Sequence, residues 1–141
     1  MKRLTGLDAS FLALETPSSH MHVASLGIYD PSTAEGAFTI DRLVEAYSGR
    51  LHLAPPFRQR LVNVPFGLHH PLWIEDPDFD IRRHVRHTAV PAPGGPDELA
   101  NLVGRVVAQP LDRSRPLWEI WLIEGLEGGN VGILSKVHHA A

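Results

Sequence analysis

The sequence predicts one α+β domain, a mixed α/β sandwich in which helices cover a sheet. Three observations lead there. Two apolar helical stripes, at residues 40–51 and 96–108, alternate with period-two segments at 21–29, 118–123 and 131–137. Eight of the twelve prolines lie between Pro55 and Pro96, so the middle third is built from short extended pieces and turns, not long helix. The 141 residues are 43% hydrophobic, which suffices for the core of one ordinary domain.

Taken in order, residues 7–15 set Leu7, Phe11 and Leu14 at helical spacing, with Asp8 near the positive end of the dipole and Pro17 stopping the run. Met21 to Tyr29 alternates as a strand does. Residues 40–51 put Ile40, Leu43, Val44, Tyr47 and Leu51 on one helical face behind Thr39, an expected N-cap. Phe57–Val64, Leu72–Glu75 and Ile81–Val90 are expected strands. Residues 96–108 align Leu99, Leu102, Val103, Val106 and Val107, with Pro96 in the first turn. Trp118–Ile123 and Val131–Val137 form two more strands across the glycine-rich turn Glu124–Asn130. The last strand looks buried and stops with no closing element, which reads as part of a longer domain.

Composition excludes several chemistries. With no cysteine there is no disulfide framework, zinc ribbon, iron–sulfur site or thiol nucleophile. The formal charge of −3 is spread without blocks, and no basic stripe suggests nucleic acid. No apolar run approaches the ~20 residues that span a bilayer. Asp8 and Glu15 interrupt any signal-like stretch behind the basic start Met1-Lys2-Arg3, so a cytoplasmic location is expected. There is no nucleophile elbow, phosphate-cradling loop or dinucleotide fingerprint, and Gly94-Gly95 and Gly128-Gly129 read as turns.

The candidate chemistry lies in histidine. On a strand ending at Val137, His139 continues the side of Ile133, Ser135 and Val137, whereas His138 continues the side of Gly132, Leu134 and Lys136. Imidazole titrates near neutrality and can serve as a general base toward a hydroxyl or thiol. A bare pair is equally the mark of two hydrogen-bonded or solvated side chains. His20 and His22 share one strand face, His69 and His70 are adjacent, and His84 and His87 point to opposite faces. With no carboxylate–histidine cluster, no metal is expected. Arg58 and Arg60 share a face if Phe57–Val64 is a strand, and could meet an anionic ligand. Leu111–Trp118 reads as a loop entering a sheet, with internal Asp–Arg pairing.

Together these segments resemble the bacterial wax ester synthase/diacylglycerol acyltransferase family. The resemblance is carried by Leu4 to Leu12 (LTGLDASFL) with Glu15 and Met21-His22-Val23, by Pro56 to Leu61 (PFRQRL), and by Trp73 to Asp80 (WIEDPDFD) followed by His84-Val85-Arg86. It continues in Pro110 to Glu119 (PLDRSRPLWE), which holds a Pro-Leu-Trp motif, and in Lys136 to Ala140 (KVHHA), the approach to an HHxxxDG motif. The resemblance implies a fold like chloramphenicol acetyltransferase and the CoA-dependent acyltransferases. Residues 1–141 would be the N-terminal portion of that domain, with the second domain absent and the motif's Asp and Gly falling beyond Ala141.

It also implies acyl transfer from acyl-CoA to diacylglycerol or a long-chain alcohol, giving triacylglycerol or wax ester, with no metal or redox cofactor. His139 matches the general base, His138 an orienting or packing role, and Pro116, Leu117 and Trp118 the site's architecture. Arg58 and Arg60 are the candidates for substrate contact. Peripheral contact with a membrane or lipid droplet and self-association through exposed apolar surface are expected of such a chain. The alternative is a catalytically inactive remnant or binding module of the same fold.

Overall fold

The computed structural model describes residues 2–36 and 38–141; Met1, from the basic start noted above, and Ala37 lie outside the described residues. The elements run β1 (Lys2–Arg3), α1 (Gly6–Leu14), β2 (His22–Tyr29), α2 (Ile40–Ser48), β3 (Gln59–Val62), β4 (Leu72–Glu75), β5 (Val85–Ala89), α3 (Pro96–Ala108), β6 (Trp118–Glu124) and β7 (Val131–His138). Among the described residues the strands make two sheets, β2-β7-β6-β5 and β1-β4-β3.

In the larger sheet β7 pairs antiparallel with both β2 and β6, while β5 and β6 are parallel. A parallel pair needs a crossover, and α3 supplies it. Its Leu99, Leu102 and Val106 pack with Ile123 and Leu134 on one sheet face. The other face carries Trp118, Ile120 and Leu122 against Leu43 and Val44 of α2. Strand alternation thus feeds two cores from one sheet. A third cluster, Leu4, Leu12, Trp73, Leu111, Leu117 and Ala140, joins the small sheet and α1 to the chain just past β7.

Local signals account for the helix ends. The Thr39 hydroxyl accepts from Arg42 N at 3.3 Å, and the Thr5 hydroxyl caps α1 by accepting from Asp8 N at 3.1 Å. Pro96 occupies the first turn of α3, where its missing N–H costs nothing. Gly94 sits at φ +72° against the Gly125 carbonyl, and a Cβ there would collide with it. That close approach fixes the entrance to α3.

Four readings need correction. Phe57 and Arg58 belong to a short 3₁₀ turn, Pro55–Arg58, because the paired prolines fix φ before the strand begins at Gln59. Arg58 and Arg60 therefore do not share a strand face. The segment 81–90 opens as a 3₁₀ turn, Ile81–Arg83, capped by Asp80, and becomes strand only at Val85. The α1 stripe does not pack as its spacing suggests: Leu7 and Leu14 are exposed, and Leu12 is the buried residue. Helix α2 ends at Ser48, and Leu51 is buried from a separate turn, Leu51–Leu53.

Candidate active site

The end of β7 places the two histidines very differently. The buried positions of β7 are Gly132, Leu134, Lys136 and His138, the side on which Leu134 and Lys136 meet α3. His138 is 1% exposed. Its Nδ1 accepts from the Ala140 amide at 3.0 Å, so the neutral ring carries its proton on Nε2. That Nε2–H donates to Glu15 Oε2 at 3.2 Å. Burial pushes the His138 imidazole below its usual pKa, against the opposing pull of Glu15. Both nitrogens are thus committed.

His139 has left the strand and is exposed. Its backbone amide donates to Met21 O at 2.8 Å, extending the β2–β7 ladder by one bond. Its ring stacks on Phe11 of α1, centroids 4.9 Å apart and planes 24° apart. Among the described residues no side chain hydrogen-bonds its nitrogens. The sequence expectation that the two rings diverge holds, and the imidazole facing solvent is the second.

Glu15 is the hub behind His138. Its Oε2 also accepts from Met21 N at 3.0 Å, and its Oε1 accepts from Arg113 Nη2 at 2.9 Å. Arg113 Nη2 donates to Leu12 O at 2.8 Å as well. Burial alone would raise the Glu15 carboxyl, but the hydrogen bonds from Met21 and Arg113 and the neighbouring charges hold it below the usual range. The pairing expected inside Leu111–Trp118 divides in two. Arg115 meets Asp112 at 3.8 Å, and Arg113 crosses to α1 and Glu15.

Pro116, Leu117 and Trp118 are all buried, and the Leu117 carbonyl accepts from His138 N at 3.1 Å. The motif therefore lies directly beside the histidine it accompanies. Trp118 stacks between Phe57 and His84, 4.8 Å from each, and its Nε1 donates to Phe57 O at 2.8 Å. His84 Nδ1 donates to Trp118 O at 2.8 Å, which makes it a satisfied core histidine.

Lys136, one β7 step before His138 on the same side, is fully buried. Its ammonium donates to Val106 O at 2.9 Å and Gln109 O at 2.7 Å, and meets Glu119 at 3.7 Å. His22 Nε2 donates to Val107 O and His20 Nε2 to Ala108 O, each at 2.8 Å. Three side chains from β7 and the β2 region thus take up the carbonyls that α3 leaves open at its C-terminus. The His20 and His22 rings stack, 5.4 Å apart, and each leaves Nδ1 buried without a partner. A proton there would have no acceptor, and burial holds His22 below its usual pKa. Among the described residues no three His, Cys, Asp or Glu side chains could hold a metal. Arg60 pairs with the buried Asp76 at 3.8 Å, while Arg58 is exposed.

An apolar cleft of about 360 Å³, lined in part by Leu26, Ile28, Leu99 and Val103, lies away from these histidines. Leu26 and Ile28 pair with Leu134 and Gly132, four and six residues before His138. No helix among the described residues is long and apolar enough to cross a membrane.

Residues 4–141 match the profile of the wax ester synthase/diacylglycerol acyltransferase catalytic domain. The chain belongs to this family. It is 45% identical over 140 residues to a putative diacylglycerol O-acyltransferase of Mycobacterium tuberculosis H37Rv, covering 99% of this chain and 30% of that protein. A probable diacylglycerol O-acyltransferase of the same organism, tgs3, is 43% identical over 138 residues, covering 98% of this chain and 50% of its own length.

Among solved structures, the wax ester synthase/diacylglycerol acyltransferase from Marinobacter aquaeolei VT8 superposes with a TM-score of 0.84 at 34% identity, over 99% of this chain and 33% of that one. The starter condensation domain of rhizomide synthetase superposes at 0.67 with 16% identity, over 99% of this chain and 34% of that one, which shows a common fold only. The α+β reading and its CoA-dependent acyltransferase fold are therefore borne out. The chain spans about a third of the length of most of these relatives.

Proposed function

We propose that this chain carries the base-bearing part of an acyltransferase that moves a fatty acyl group from acyl-CoA to diacylglycerol or a long-chain alcohol. The observation that carries the reading is the asymmetry of the histidine pair: His138 has both nitrogens bound and buried, and His139 offers its imidazole to solvent. His139 takes the proton of the acceptor hydroxyl as that oxygen attacks the thioester carbonyl carbon. The tetrahedral intermediate collapses with cleavage of the carbon–sulfur bond. The departing CoA sulfur receives the proton from His139, leaving an ester and free CoA. Because the thioester is already activated, the reaction calls for no metal or redox cofactor.

In this reading His138, Glu15 and Arg113 are positioning residues, and Pro116, Leu117 and Trp118 set the strand against which they act. Arg58 is the arginine better placed to meet an anionic group, since Arg60 already pairs with Asp76. A water-insoluble acceptor puts the work at a lipid surface. Exposed Val23, Ile28 and Tyr29 on β2 favour self-association of the isolated chain.

The test replaces the matching N-terminal part of the 45%-identical mycobacterial relative with residues 1–141 and measures transfer from palmitoyl-CoA to dioleoylglycerol and hexadecanol. His139→Ala should cost ~10²–10⁴-fold in kcat. Glu15→Ala should lower kcat about tenfold with KM nearly unchanged, since an interaction that only orients the base is felt in the transition state. The 141-residue chain alone should turn over at background. Full activity of the His139→Ala hybrid would overturn the assignment of the base, and a parent hybrid that turns over only at background would favour an inactive binding module of the same fold.

A further inference from the structure

The loop joining β3 to β4 is unlike the rest of the surface. Phe66 is 97% exposed and Leu68 77% exposed at the hairpin tip. Phe66 sits at φ +60° and Gly67 at +64°, closed by Gly67 N donating to Val64 O at 3.2 Å. A bulky residue in the left-handed region is unfavourable, and here it holds an aromatic ring out in water.

The charge around the tip is one-sided. From Leu51 to Ile74 there is no acidic residue, while the segment holds His52, Arg58, His69 and His70 besides Arg60, which pairs with Asp76. Lys2 and Arg3, both exposed, pair alongside Trp73 and Leu72, the first residues after the loop. The N-terminal flank reaches its first acid only at Asp8, in the first turn of α1.

We infer that this hairpin tip is a lipid-docking loop: Phe66 and Leu68 enter the apolar layer of an anionic phospholipid surface, and the adjoining cations face its headgroups. Two side chains are far too few for a stable protein interface, which needs about 800 Å² on each partner. They suit reversible lipid adsorption, where a short apolar insertion adds to attraction by basic side chains near the surface. The inference deepens the proposed function, resting on it for the choice of a lipid surface, but adsorption is measured without substrate and so fails or succeeds independently of turnover.

The experiment is co-sedimentation of the 141-residue chain with vesicles of phosphatidylcholine, alone or mixed with phosphatidylglycerol. The parent chain should pellet with the mixed vesicles. Phe66→Ser should reduce the partition about tenfold, and Leu68→Ser about fivefold more, with thermal melting unchanged because both side chains are exposed. Lys2→Ser with Arg3→Ser should weaken adsorption to mixed vesicles about fivefold per charge and leave adsorption to phosphatidylcholine unaltered. Phe66→Trp should still adsorb and gain emission quenched by brominated acyl chains.

A parent chain that stays in solution with both vesicles overturns the inference. So does a Phe66→Ser, Leu68→Ser chain that pellets like the parent, or an unquenched indole at position 66. If those serines instead reduce self-association and spare adsorption, the tip is a contact between copies, and the inference is equally overturned.

Discussion

The side of the large sheet that faces α3 has two halves built on different physics. Toward the N-terminal end of α3, Leu134 and Ile123 meet Leu99 and Leu102 in an apolar core that needs only area and shape. Toward its C-terminal end the same strands present Lys136, Glu119, His138 and His22. There the contacts that tie the strands to the rest of the chain are directed bonds between residues distant in sequence: Lys136 to Val106 and Gln109, His22 to Val107, His138 to Glu15. The apolar half tolerates substitution of like volume, whereas the polar half fails when one member is lost, because a buried partner is then stranded. The difference shows how the chain fixes the point from which His139 emerges: by a network anchored on a helix terminus.

The comparison can be broken by replacing one residue in each half. Leu134→Ala should destabilise by about 3 kcal/mol through lost burial and cavity. Lys136→Met, which keeps volume and apolar area, should cost about as much by leaving the Gln109 carbonyl without a donor and Glu119 without its counter-charge, while Val106 O keeps the bond from Gln109 N. Denaturant midpoints with unchanged m-values would read both. A Lys136→Met chain as stable as the parent would make the polar half a passive filling.

A smaller effect sharpens the same contrast through pH. His22, His84 and His138 are held below the usual histidine value chiefly by burial. As pH falls the unfolded chain binds protons first, so stability is full above about 6.5 and is lost as pH drops through the lowered folded values. Glu15 and Asp112, held low by their hydrogen bonds, add a second loss at still lower pH, below the ordinary carboxylate range. Melting temperature should therefore decline on acidification from about pH 6.5. His138→Gln should flatten part of that slope, and a parent profile level through the window would contradict the burial argument.

Much of the apolar half is legible in the sequence, because it follows from periodicity. The stripe Leu99, Leu102, Val106 defines α3 to the residue, and Thr39 marks the start of α2. The polar half is legible only as suspicion. A lysine on the side of Gly132, Leu134 and His138 ought to be buried and must then find partners, but spacing does not say which. Glu15 stands among the residues that carry the resemblance, and nothing local ties it to His138, 123 residues away. Arg113 has Asp112 beside it and bonds elsewhere, while Ser114 takes one oxygen of that carboxylate through its amide and hydroxyl and Arg115 meets the other. The strand boundaries at 57–58 and 81–84 shift because proline and Asp-capped turns override the apolar alternation.

His138 is committed to structure and His139 is not. Nitrogen-detected NMR of the imidazoles in the 141-residue chain tests it most directly. The account predicts a neutral His138 ring protonated on Nε2, the nitrogen facing Glu15, and persisting in that form below pH ~6.5. A His138 ring protonated on Nδ1, or one that titrates as a solvent-exposed histidine does, would contradict it.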